Sequence, residues 1–308
     1  MNKRVVCIGG ALVDELFYAN EPMMPATTNI VSLEENAGGV ARNIAHQLAI
    51  LGIPVSLIAP FGDDVPGKWL LDQCTNAGID ISASVIGKNR KTGRYTGIIN
   101  PDGSLHTALL SNECNALIDP IHLDLHKHLL KGATFIIADT NLSIDSLQWL
   151  TSFCRQNKVP LVIEPVSVPP AKKLQEVDLS GVFLISPNED ELPAIIKDAQ
   201  TTTDGFAKAL LEKGVEHVWL HEGEKGSSVY TKNSIQHIAA SKISVIDSTG
   251  AGDGSLAGFM WGLYHGKEIV ESVQIGHWLA SQILTVKGAI ATHITQEHLS
   301  NLSFSTNE

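Results

Sequence analysis

Eight consecutive residues near the carboxyl end, Asp247-Ser248-Thr249-Gly250-Ala251-Gly252-Asp253-Gly254, hold the residue types needed to move a negatively charged group. Small side chains leading into a helix let successive backbone N–H groups converge on an anion, with the positive end of the helix dipole behind them. A bound phosphate would repel Asp253 unless that acid serves the chemistry. As a carboxylate it can take a proton from an attacking hydroxyl. The plain alternative is a glycine-rich strand-to-helix turn with aspartate as its cap. Two acids bracketing a run of small residues favour the chemical reading.

A second cluster, Gly38-Gly39-Val40-Ala41-Arg42-Asn43, also opens a helix. Its glycines permit close approach to a ligand, and the Asn43 amide offers donor and acceptor to a polyol. Arg42 and Asn43 fit a solvated helix start equally well. Asn188-Glu189-Asp190-Glu191 follows an apolar run and places acids where open α/β sheets bind ligands, suited to a hydrated Mg²⁺ beside nucleotide phosphates. An acidic first helical turn is the competing reading. Two patterns fail. Gly62-Asp63-Asp64-Val65-Pro66-Gly67-Lys68-Trp69 approaches the phosphate-loop pattern, but Trp69 replaces the hydroxyl and two acids oppose phosphate. Gly9-Gly10 lacks the glycine spacing of a dinucleotide site, which argues against a nicotinamide-dependent oxidoreductase. The 12 histidines show no zinc-ligand spacing.

The elements that must position these residues alternate. Val5 to Ile8, Val55 to Pro60, Phe135 to Ala138, Leu161 to Glu164, Phe183 to Ser186 and His217 to Leu220 read as buried parallel strands. Gly39 to Leu51, Gly67 to Ala77, Ile144 to Asn157 and Ser255 to His265 carry helical periodicity between or after them. The alternation predicts an α/β fold with a doubly wound, mostly parallel, Rossmann-like sheet over one domain spanning residues 1–308. Residues 15–36 and 92–111 break the rhythm. The second of these holds two β-type runs around Asn100-Pro101-Asp102-Gly103, a hairpin turn sequence. Together they are expected to form a small β-sheet lid.

Composition narrows the class of function. The 308 residues are 44% hydrophobic and 18% charged, too apolar for a disordered chain. The net charge of −11 argues against a nucleic-acid partner, which needs basic density. No apolar run approaches the roughly 18 residues a membrane helix requires. Cys7, Cys74, Cys114 and Cys154 lie far apart without a CxxC pair, as expected of reduced thiols in a cytoplasmic protein. Lys3-Arg4 before an apolar stretch faintly suggests a signal peptide. The interruption at Gly9-Gly10 and the end in Asp14-Glu15 favour a first buried strand.

In combination these motifs resemble the ribokinase-like, or PfkB, carbohydrate kinases. Asp247 to Asp253 matches that family's D-[ST]-T-G-A-G-D signature, and Gly38-Gly39 with Asn43 its G-G-x-x-x-N element. Asn188 with Glu191 matches its N-x-x-E element, and Gly62-Asp63-Asp64 with Gly67 its G-D-D-x-x-G segment. Order and spacing agree over about residues 4 to 292. Within the family the chain looks most like the pseudouridine kinases, through Gly38 to Ala45, Asp139-Thr140-Asn141-Leu142-Ser143 and Glu164-Pro165-Val166-Ser167-Val168.

The resemblance implies phosphorylation of the 5′-hydroxyl of pseudouridine by ATP with Mg²⁺. The alternative is a kinase of the same family acting on another nucleoside or on a free sugar of ribose or fructose type. It implies Asp253 as base and Gly250, Ala251 and Gly252 as anion hole, meeting the need of phosphoryl transfer for in-line positioning and charge stabilisation. Asp14, Gly38, Gly39 and Asn43 would clasp the sugar, with Asn141 pointing to sugar or base. Thr92, Arg94 and Tyr95 are the hairpin residues expected near the base. Tyr95 equally suits a packing aromatic. Asn188, Glu191, His221, Gly223 and Gly226 would face the nucleotide. Glu191 would order water around Mg²⁺, and Asp247 would help hold a monovalent cation, usually K⁺. One departure stands out: in His221-Glu222-Gly223-Glu224-Lys225-Gly226, His221 takes the place of the family's threonine. Relatives often dimerise through the lid sheets, which suggests a homodimer. A sugar-responsive binding module that lost catalysis would show a lost base or broken anion hole, and both are intact.

Overall fold

The computed structural model describes residues 3–197 and 202–304, so residues 1–2, 198–201 and 305–308 of the expected single domain lie outside it. Fourteen strands occur among the described residues: β1 Val5–Ile8, β2 Leu12–Ala19, β3 Val31–Gly38, β4 Val55–Ile58, β5 Pro60–Gly62, β6 Val85–Gly87 and β7 Gly93–Ile99 in the first part. There follow β8 Leu105–Ser111, β9 Phe135–Asp139, β10 Leu161–Glu164, β11 Leu184–Ile185, β12 His217–His221, β13 Ser227–Thr231 and β14 Ile235–Ile238.

The main sheet runs β14-β13-β12-β11-β10-β9-β1-β4. From β4 to β12 every pairing is parallel, while β13 and β14 add antiparallel at one edge. Buried side chains alternate between two apolar layers. Val5, Cys7, Val55, Leu57 and Ile137 face one, Val6, Ile8, Ile58, Ile136 and Ala138 the other. Helices cover both faces, as the near-continuous apolar strands require. All four cysteines are buried and free. Among the described residues no helix is long and apolar enough to cross a membrane.

From β1 the chain winds outward to β4, whereas from β9 it winds the opposite way to β10. The reversal between β1 and β9 is the switch point beyond which open α/β sheets bind ligands. Four further strands form a separate sheet, β3-β2-β7-β8, that leaves the main sheet just after β1. Here β7 and β8 make the expected hairpin, closed by Asn100 and Ser104.

Three details differ from the periodicity. The run Val55 to Pro60 splits, because Pro60 has no N–H for the ladder; Pro60–Gly62 instead pairs with β6 in a two-stranded ribbon. The strand expected over Phe183 to Ser186 is only Leu184–Ile185. Strands β13 and β14 were not foreseen, since β14 is a short, largely exposed edge without the apolar run of a core strand. The rejected phosphate-loop look-alike is a helix cap. The Asp64 carboxylate accepts from Gly67 N at 3.0 Å and opens the helix Val65–Asn76.

The candidate active site

Asp253 sits in the first turn of the helix Ala251–Tyr264. That helix is held against Ile269–Leu284 by a close crossing in which a Cβ on Gly258 would lie 3.0 Å from Gly276 Cα. Gly250, with φ +73°, caps the helix in a left-handed conformation that suits glycine, and its carbonyl accepts from Gly254 N at 2.8 Å. Before it, Asp247 ties down the loop with both oxygens, taking Thr249 N at 2.9 Å and Gly288 N at 3.0 Å. Burial raises the Asp247 pKa, but these N–H donors and Lys287 outweigh it and leave the pKa below the ordinary value. A Cβ on Gly252 would meet nothing within 4 Å, so the fold leaves open space above this residue.

The other half of the site comes from the helix Val40–Ile50. Gly39 adopts φ +97°, and a side chain there would strike the backbone of Gly10 and Ala11. This close approach brings Asn43 beneath Asp253, and Asn43 Nδ2 donates to Asp253 Oδ2 at 2.7 Å. Loss of solvation pushes the Asp253 pKa up to about 7. The Asn43 bond and Arg42 pull it down, while Asp139 and Asp14 push it further up. Asp14, on β2, lies against Gly38; burial lifts its pKa to about 6, opposed by Arg42. Tyr95 pairs with Asp14 across β2 and β7, and its hydroxyl pKa is raised by burial and by the Asp14 charge.

Three residues that lie within the quoted motifs but were given no site role there complete the centre. Asp139 ends β9 and is 1% exposed. Its carboxylate collects the N–H groups of Gly10 at 2.8 Å, Ala41 at 3.1 Å and Asn141 at 2.9 Å, drawing the switch point together. Glu164 ends β10 and accepts from Ser186 Oγ at 2.5 Å; burial, then Glu191, then Asp253 raise its pKa well above the ordinary range. Arg42 is 2% exposed, not a solvated surface residue. An acid ending an apolar parallel strand was the available signal for Asp139 and Glu164. Beside Glu164, Val166 takes φ +70°, a strained conformation for a β-branched residue.

The expected nucleotide residues gather beyond Glu164. Asn188 Oδ1 accepts from Glu191 N at 2.9 Å while Glu191 Oε2 accepts from Asn188 N at 3.0 Å, a reciprocal lock that leaves Glu191 5% exposed. His221 bridges to this turn, its N–H bonding Pro187 O at 2.9 Å. Its ring packs at a tilt of 50° against Trp219, with centroids 4.3 Å apart, and burial together with His277 lowers its pKa to about 3, so the imidazole is neutral. Gly223 and Gly226 shape the turn from β12 to β13.

Two hairpin residues lie elsewhere. The Thr92 hydroxyl bonds the Asp64 carboxylate and accepts from Gly62 N at 3.1 Å, within the helix cap. Arg94 pairs with Glu15 and lies 4.0 Å from Glu35. Because successive strand residues point to opposite faces, Arg94 and Glu15 lie on the face away from Asp14 and Tyr95. Of the three, Tyr95 alone shares the Asp14 side.

The chain is similar to several known kinases. An uncharacterized sugar kinase of Escherichia coli, YeiI, is 31% identical over 247 residues, which are 78% of this chain and 66% of that protein. The pseudouridine kinase of Escherichia coli is 28% identical over 287 residues, covering 91% and 90% of the two chains. Among solved structures, a ribokinase from Arabidopsis thaliana complexed with ribose and ATP superposes with a TM-score of 0.87. It is 21% identical and covers 98% of this chain and 100% of its own. The model of the pfkB family carbohydrate kinases matches residues 2–296. With the family's fold and motifs in place over nearly its whole length, the chain belongs to the pfkB carbohydrate kinases, ATP-dependent enzymes that phosphorylate sugars or nucleosides.

Proposed function

We propose that this kinase transfers the γ-phosphoryl group of ATP to the 5′-hydroxyl of pseudouridine, yielding pseudouridine 5′-phosphate and ADP. The observation that carries the chemistry is the Asn43–Asp253 pair, set between the Asp14 side and the open space at Gly252. Ionised Asp253 accepts the hydroxyl proton as the oxygen attacks. The new O–P bond forms while the bond from γ-phosphorus to the bridging oxygen breaks, and its electron pair leaves with ADP. Backbone N–H groups of Gly250, Ala251 and Gly252 neutralise charge on the moving group. Asp14, Gly38, Gly39 and Asn43 hold the sugar, with Asn141 and Tyr95 toward sugar and base.

Asn188, Glu191, His221, Gly223 and Gly226 form the nucleotide side. The crowding of the Glu164 and Glu191 carboxyls suits a divalent cation, and their oxygens are the hard donors Mg²⁺ prefers. Glu191 would hold the ion through water, and bound Mg²⁺ neutralises phosphate charge. Asp247 and the neighbouring loop would take K⁺. The small sheet serves as lid, over residues 15–36 and 92–111. Its edge strand β8 is exposed along all seven residues, including Leu105, Leu109 and Leu110, which suits a second copy of the chain. We place the enzyme in the cytoplasm, where ATP is present and its buried thiols stay reduced.

The pseudouridine reading draws support from the 28% identical pseudouridine kinase and from Tyr95 beside Asp14. The second reading, another nucleoside or a free sugar, draws on the 31% identical sugar kinase and on Thr92 and Arg94 being committed elsewhere. A panel of pseudouridine, uridine, adenosine, ribose and fructose with ATP and Mg²⁺ decides. The highest kcat/KM is expected for pseudouridine, and a higher value for free ribose or fructose rejects that substrate.

A further inference from the structure

Arg42 immediately precedes Asn43 and is buried at the junction of the small sheet with the helix Val40–Ile50. Every side of its guanidinium is used. Nε donates to Gly38 O at 3.3 Å, and one terminal nitrogen donates to both Ala37 O and Asn43 Oδ1. The other meets His46 Nδ1 at 3.1 Å, where the ring accepts because guanidinium only donates. Ala37 and Gly38 are the last residues of β3, so this one side chain joins the end of the small sheet to Asn43.

The pairing also fixes the Asn43 amide. Its oxygen must face the donor-only guanidinium, and its NH₂ must face the carboxylate of Asp253, which in its ionised form only accepts. Rotating the amide by half a turn would set NH₂ against guanidinium and oxygen against carboxylate, breaking both contacts.

We propose that Arg42 is a positioning residue for phosphoryl transfer: it locks the Asn43 amide in the orientation that holds Asp253 and makes that hold depend on the placement of the end of β3. The inference rests on Asp253 being the base. The charged groups around Asp253 are Arg42, Asp14, Asp139 and Glu164, so Arg42 is the cation among several acids. Its loss therefore removes both a geometric and an electrostatic influence on Asp253.

Arg42→Gln, Arg42→Lys, Asn43→Ala and the double variant Arg42→Gln/Asn43→Ala test this, measured as kcat against pH with the best acceptor of the panel. Arg42→Gln is expected to lower kcat about 10- to 100-fold with the KM for ATP unchanged, and to move the acid limb of the profile to higher pH. Arg42→Lys keeps the charge but not the fork, so the limb stays near its original position while kcat still falls. In the Asn43→Ala background the additional effect of Arg42→Gln on kcat should shrink to less than about threefold. Normal kcat and an unmoved limb in Arg42→Gln, or full additivity with Asn43→Ala, overturns the proposal. Should the Arg42 variants not fold, ¹⁵N-arginine NMR of the unaltered protein decides. Separate, slowly exchanging Nη signals support the fork, and one averaged signal overturns it. Asp253→Asn is assayed in parallel; its retention of turnover rejects the base itself, whereas its inactivity beside a normal Arg42→Gln rejects only the role of Arg42.

Discussion

Asn43 Nδ2 lies 2.7 Å from Asp253 Oδ2, a contact between the starts of two helices that are 210 residues apart in the chain. It sets an asparagine from the Gly38-Gly39 cluster against the acid of the Gly250-Ala251-Gly252 loop. The hydrogen bond favours the ionised carboxylate, while removal from water opposes it, and the balance leaves the pKa at about 7. A group titrating there is a base in neutral solution and a spent one in mild acid. The rate constant kcat should therefore rise tenfold per pH unit below about 7 and level off above it. Asp253→Asn should lower kcat by on the order of 10²-fold or more at every pH. A flat profile between pH 5.5 and 8, or near-normal turnover in the variant, excludes Asp253 as base.

The same shift has a stability consequence of defined sign. The folded pKa lies above the ordinary carboxyl value of 3.8, so the fold binds a proton that the unfolded chain has already released. Stability from this group is complete below about pH 4 and is lost as pH rises through about 7. Asp253→Asn carries no such loss. Urea midpoints should thus show the variant more stable than the parent at pH 8, by on the order of 1 kcal/mol after allowing for its open side. The difference should close at pH 4. A variant less stable at pH 8 contradicts this.

Removing Asn43 tests the other half of the pair. Asn43→Ala leaves the Asp253 carboxyl buried without its hydrogen-bond donor, so its pKa should climb further. At pH 7 kcat should fall roughly tenfold from the lower ionised fraction, beyond any loss in acceptor binding. The pH profile separates the two effects, since the loss in kcat should narrow as pH rises toward 9. A loss independent of pH would assign Asn43 to sugar contact alone.

These relationships show what the amino-acid order reveals and what it conceals. Buried parallel strands such as Val5–Ile8 were legible because an apolar run between turn residues is a local signal. The loop from Asp247 to Gly254 and its entry into a helix were legible because its small residues and two acids are contiguous. Arg42 was not, because a cation at a helix start ordinarily faces water, and its burial depends on carbonyls turned inward at the end of β3. Asp139 was quoted only for resemblance. Its role of gathering the N–H groups of Gly10, Ala41 and Asn141 depends on β1 and β9 being neighbours, which is a property of topology. Thr92 and Arg94 were misplaced for a related reason: register and a helix cap, not composition, decide where a strand residue points.

Gly252 distinguishes a folding requirement from a functional one. A Cβ at this position meets no protein atom within 4 Å, and the residue lies in the first turn of a helix without positive φ. Gly252→Ala should therefore keep stability, or gain up to about 1 kcal/mol from helix propensity. If the open space receives the transferred phosphoryl group, the added methyl intrudes on it. Then kcat/KM for ATP should drop at least about tenfold while the urea midpoint holds or rises. Unchanged kinetics in a well-folded variant would remove Gly252 from the anion hole.

Val166 offers a test in which stability, not turnover, is the readout. Its φ of +70° is unfavourable for a side chain branched at Cβ, yet it stands two residues after Glu164, whose carboxyl accepts from Val166 N at 3.3 Å. Pro165 O is held by Thr140 Oγ1 at 2.5 Å and by Ser167 N at 2.8 Å, so neighbouring bonds impose the turn on the valine. Such strain costs on the order of 1–3 kcal/mol. Asparagine tolerates the left-handed region and retains the N–H. Val166→Asn should raise unfolding stability by about 1 kcal/mol, with kcat within about threefold of the parent. A stability loss comparable to that of an ordinary buried valine would show that side-chain packing at this position outweighs the backbone strain.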